Sequence, residues 1–92
     1  KYSKLEFFKP DLEKFPCLRL AYQAAKVGGT LPCFMNAANE VFVEQFLSGK
    51  IRWIDIGKKL ETLMEAHRVA PQESLDMLFE VDREARSLAT TA

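Results

Sequence analysis

Beyond the first fifteen residues, apolar side chains recur at three- and four-residue steps, in runs punctuated by glycine and proline. Phe15, Leu18, Tyr22 and Ala25 mark one such stripe, with Pro16 at a favoured first-turn position and Gly28 just past the end. This spacing predicts a helix with that stripe buried. A second helix is predicted over 32–48, closed by Gly49 in a left-handed C-terminal cap. Its apolar positions (Phe34, Met35, Ala37, Ala38, Val41, Phe42, Val43, Phe46 and Leu47) cover most of the circumference, which marks a central helix packed on several sides. Residues 50–53 read as a connector. A third helix follows over 55–67, with Ile56, Leu60, Leu63 and Met64 inward, Gly57 weakening its first turn and Pro71 beyond its end. The last begins near Ser74, a good N-cap followed by Asp76 in the first turn. Leu75, Leu78, Val81, Ala85 and Leu88 are expected to face inward with Phe79 alongside, and Asp82 offers a second cap that would break the helix in two. Residues 1–14 differ: Leu5 and Phe7 alternate with charge and Pro10 blocks a helix, so an extended arm is expected. The predicted fold class is all-α, a small bundle of four to five short helices over 15–92 preceded by that N-terminal arm.

Ninety-two residues make one domain with a thin core and little room for a cofactor cleft. Thirteen basic and thirteen acidic residues cancel. Without a basic excess, nucleic-acid binding and attraction to an anionic membrane surface lose their electrostatic footprint. No apolar run approaches the roughly 20 residues of a membrane span. The chain begins at Lys1 rather than methionine and is read as a piece of something larger. Cys17 and Cys33 fit no metal knuckle and are expected to be two half-buried free thiols.

Catalytic motifs are sparse. The single histidine, His67, continues the stripe of the third helix at its C-terminal end and reads as structural. Cys17, Cys33 and His67 match no ligand spacing, and no dinucleotide fingerprint is present. The unusual local feature is NAANE, in which Asn36, Asn39 and Glu40 share one helical face that Glu44 extends. Asparagine is a poor residue for a helix interior, so these amides are expected either to satisfy buried groups or to face a partner. Tyr2, Phe7, Phe8 and Phe15 crowd the arm and are expected to pack on the bundle or to mark an interface with a missing domain.

Three stretches, FPCLRLAYQA, GGTLPCFMNAANEVFVEQFLSGKI and SLDMLFEVDREAR, together with LEFFKPD near the start, resemble the C-terminal helical domain of 1-deoxy-D-xylulose 5-phosphate reductoisomerase. The resemblance covers nearly the whole chain. Met35, Cys33 and the pair Trp53–Ile54 depart from the usual pattern, the last removing an N-cap hydroxyl before Asp55 and leaving the start of the third helix open. The resemblance implies a parent enzyme of isoprenoid precursor synthesis that rearranges its substrate and reduces it with NADPH to 2-C-methyl-D-erythritol 4-phosphate. It also implies a divalent metal (Mg or Mn) and a homodimeric parent, in a bacterial cytoplasm or a plastid stroma. The catalytic, metal and cofactor residues of that family lie in its preceding domains, so none is carried over to this segment, which is expected to be inactive alone. Asn36, Asn39 and Glu40 remain as candidate structural contacts to those domains. An isolated segment is expected to self-associate. The alternative reading is an independent helical protein-interaction module.

Overall fold

The computed structural model describes residues 16–92. The predicted arm and its aromatic residues, Phe15 included, lie outside them. Four helices follow in chain order: α1 (Pro16–Val27), α2 (Leu31–Leu47), α3 (Trp53–Ala66) and α4 (Leu75–Thr91). The fold is all-α, with no strand among the described residues.

The central helix is the one its pattern predicts. α2 packs against all three other helices, most extensively against α4. Its Phe34, Ala37, Ala38 and Phe42 are fully buried. Around them α1 contributes Leu20 and Ala24, α3 contributes Ile56, Leu60 and Met64, and α4 contributes Ala85 and Ala89. Helix α4 therefore meets the core through small side chains, which permit a close approach.

Four expectations are corrected. The stripe assigned to α1 points outward: Leu18, Tyr22 and Ala25 are exposed, and the inward row is Cys17, Leu20, Ala21 and Ala24. Helix α3 starts two residues earlier than predicted, at Trp53. Asp55 substitutes for the missing cap hydroxyl by accepting the Arg52 backbone N–H at 2.9 Å. The Arg52 guanidinium bonds the same carboxylate, holding its pKa below the usual carboxylate range. Helix α4 is unbroken, because Asp82 pairs with Arg86 one turn later at 2.9 Å instead of capping a new start. Its inward face is Leu78, Val81, Ala85 and Ala89, leaving Leu75, Phe79 and Leu88 exposed. Ser74 is its N-cap, accepting from the Met77 amide at 3.1 Å.

One end of the bundle is tied by its two connections. The backbone N–H of Thr30 donates to the Ala70 carbonyl at 2.8 Å, and the Ala70 N–H donates back to the Thr30 hydroxyl at 3.1 Å. Gln72 adds a bond from its side-chain amide to the Gly29 carbonyl at 2.9 Å. Gly29 has φ 58° and lies so close to the Ala70 carbonyl that any Cβ would overlap it. On the opposite side of α3, Gly57 is buried where a Cβ would come within 2.9 Å of Pro16. The glycine that looked like a weak point in the first turn is a close-packing position.

Candidate docking face

Helix α2 turns Asn36, Asn39 and Glu40 of NAANE away from the core, and Ala37 and Ala38 into it. Asn36 is exposed and Asn39 half-buried, and no hydrogen bond among the described residues involves either amide. Among the described residues neither satisfies a buried backbone group. Glu40 accepts from Arg86 on α4 at 2.7 Å, and Arg86 also holds Asp82, which raises the guanidinium pKa. The structure therefore divides the predicted face: Glu40 ties α2 to α4, and the two asparagines are left to a groove.

That groove, about 320 Å³, runs between α1 and α2 and is lined by Ala21, Ala25, Pro32, Met35, Asn36 and Asn39. Its floor is apolar and its polar edge is supplied by the two amides. Beside it stands the outward row of α1, Leu18, Tyr22 and Ala25, with Tyr22 52% exposed. The described part of α1 holds Arg19 and Lys26 but no acidic residue. Helix α1 is thus apolar on two sides, and the bundle uses one of them. Sequence reasoning placed the buried stripe on the wrong side. The signal for the other was present in Cys17, Leu20, Ala21 and Ala24, which have the same helical spacing.

His67 is structural, as its position implies. It caps the C-terminus of α3, stacks on Phe34 with ring centroids 4.1 Å apart, and bonds the Thr30 hydroxyl through Nε2 at 2.9 Å. Cys17 and Cys33 are free and half-buried. Burial raises both thiol pKa values, so neither is an activated nucleophile.

The sequence profile of the DXP reductoisomerase C-terminal domain matches residues 1–88. The chain belongs to this reductoisomerase C-terminal domain family. The 1-deoxy-D-xylulose 5-phosphate reductoisomerase of Protochlamydia amoebophila is 55% identical over 89 residues, covering 97% of this chain and 23% of that protein. Its counterpart in Ectopseudomonas mendocina is 50% identical over 87 residues, covering 95% of this chain and 22% of that protein. The solved reductoisomerase of Zymomonas mobilis, in complex with NADPH, superposes with a TM-score of 0.85 at 40% identity, covering 99% of this chain and 25% of that one. The chain thus spans about a quarter of the length of these reductoisomerases.

The described residues do not fit the NADPH bound in the Zymomonas mobilis structure. A dinucleotide site needs a glycine-rich turn between a strand and a helix. The only glycine pair here, Gly28–Gly29, joins two helices and is packed against Ala70. Among the described residues no three His, Cys, Asp or Glu side chains gather in a way that would hold a metal ion.

Proposed function

We propose that this chain is the C-terminal structural domain of a 1-deoxy-D-xylulose 5-phosphate reductoisomerase, and that it completes the enzyme by docking on the domains that precede it. The parent rearranges the deoxyxylulose phosphate skeleton and reduces it with NADPH to 2-C-methyl-D-erythritol 4-phosphate. NADPH and a divalent metal belong to the rest of the protein, which is a homodimer in the cytoplasm. The observation that carries this reading is the family match over 1–88 in a chain that spans about a quarter of its relatives. The unused side of α1, with Asn36 and Asn39 at the groove beside it, is the docking face this reading assigns. Glu40 supports it indirectly, by fixing α2 to α4 through Arg86. Such support acts on rate because small misplacements of catalytic groups are costly.

The test is reconstitution. The chain is mixed with the N-terminal remainder of the enzyme, and NADPH oxidation is followed with deoxyxylulose phosphate and Mg present, each piece alone serving as control. Activity is expected only in the mixture, and Tyr22→Glu or the pair Asn36→Ala and Asn39→Ala is expected to weaken it. A remainder fully active by itself would remove the proposal. Activity restored equally by every variant would move the docking face elsewhere.

A further inference from the structure

Thr30 is buried, at 1% exposure, and its hydroxyl has one hydrogen and two lone pairs to place. The Ala70 N–H takes one lone pair. The other near partner among the described residues is His67 Nε2 at 2.9 Å. A buried hydroxyl hydrogen left without an acceptor is unfavourable, so the hydroxyl donates to Nε2 and the ring is neutral, with its proton on Nδ1. This single bond joins the residue that ends α3 to the residue that opens α2. Around it lie the other ties between the two connections, Thr30 with Ala70 and Gln72 with Gly29.

Protonation reverses the bond. In the imidazolium both ring nitrogens are donors, so Nε2 can only donate to the remaining lone pair of the Thr30 hydroxyl, whose buried hydrogen is left without an acceptor among the described residues, and the closed arrangement is weakened. The surroundings bias the ring in opposite directions. From α2 it meets Thr30 and Phe34, and from α3 Leu63 and Ala66, none of which is charged. Helix α4 adds Leu88 and Glu84, and the connector adds Arg68. Glu84 favours the imidazolium; burial opposes it more strongly, and the pKa lies below its ordinary value of 6.5.

We propose that His67 is a pH-gated latch: neutral, it holds the connector between α3 and α4 against the turn between α1 and α2; protonated, it holds it less strongly, and the connector loosens while the core stays folded. The sign follows from linkage. An opened connector returns His67 toward ordinary titration, so the open form binds the proton that the closed form resists. The latch is therefore fully closed above about pH 6.5 and weakens as pH falls, by at most about tenfold per unit, until the folded-state pKa is passed.

The test is made on the whole 92-residue chain by NMR, with two readouts: the titration of the His67 ring protons and hydrogen-exchange protection factors. The His67 midpoint is expected below 6.5. Protection of the Ala70 amide is expected to fall up to tenfold per pH unit on approach to it and to stay below that of Phe42 in the core, which falls in parallel because the unfolded chain binds the same proton. Glu84→Gln is expected to lower the midpoint further. Thr30→Ser, which keeps the hydroxyl, is expected to retain the response. His67→Gln offers an acceptor that does not titrate and is expected to abolish the response. A midpoint at or above 6.5, or Ala70 protection as pH-dependent in His67→Gln as in the parent chain, would overturn the proposal. If His67→Gln does not fold, the parent titration and the Thr30→Ser comparison decide alone.

Discussion

Two adjacent glycines between α1 and α2 share a left-handed conformation but not an environment. Gly28, at φ 74°, has nothing within 4 Å of where a Cβ would stand, whereas Gly29 faces the Ala70 carbonyl. Gly28→Ala is therefore expected to cost about 1–2 kcal/mol, the ordinary penalty of a left-handed non-glycine residue. Gly29→Ala suffers the same penalty and also displaces Ala70 from Thr30, for about 1–3 kcal/mol more. Urea denaturation of the two variants separates the contributions, and equal losses would mean that the contact with Ala70 is relieved at no cost. Gly28 was legible as a helix stop from its place after an apolar run. The role of Gly29 was not, because the group it accommodates lies forty-one positions further along the chain.

At the level of the helices, apolar spacing located every described element and the inward side of α3, but it chose the wrong side of α1 and misplaced part of the inward face of α4. Helix α2 left no such choice, being apolar nearly all round. Helix α1 offers two rows of equal periodicity, and the row of Leu18, Tyr22 and Ala25 is the outward one. Helix α4 offers Leu75, Phe79 and Leu88 as attractive inward candidates, but the bundle selects the alanines at 85 and 89. A close helix–helix approach rewards small side chains, and a hydrophobicity ranking undervalues them. Substitution separates the two kinds of core position. Phe42→Ala is expected to cost about 3–5 kcal/mol through the cavity it leaves. Ala85→Leu is expected to cost about 1–3 kcal/mol by overpacking α4 against the bundle, although it adds apolar area. Thermal melts of both variants check this, and an Ala85→Leu variant more stable than the parent chain would refute the close-packing account. The candidate site was legible to a similar degree. NAANE stood out as polar residues on an apolar helix, but its partition between a groove and the ion pair of Glu40 with Arg86 depended on where α4 lies.

The whole molecule retains apolar surface that a bundle of this size has no internal use for. Leu18 and Tyr22 stand on α1, Leu47, Trp53 and Ile54 at the corner between α2 and α3, and Leu75 and Phe79 at the start of α4. The docking proposed above would cover part of this surface, in a chain that spans about a quarter of the length of its relatives. The meeting of Gly57 with Pro16 acquires a meaning at this scale. Pro16 is where α1 begins, so the point at which the preceding chain joins the bundle rests on a helix backbone rather than on a side chain. A methyl group at 57 would push that junction outward by a few tenths of an ångström. Gly57→Ala is expected to leave the chain folded but to lower reconstituted turnover, read as NADPH oxidation against the melting temperature of the domain alone. Turnover unchanged alongside an unchanged melt would show that the junction tolerates the displacement. If the chain docks as proposed, the alignment of one part of the enzyme on another is set like a lever on its fulcrum: by how closely two surfaces meet at a single point where an atom has been left out.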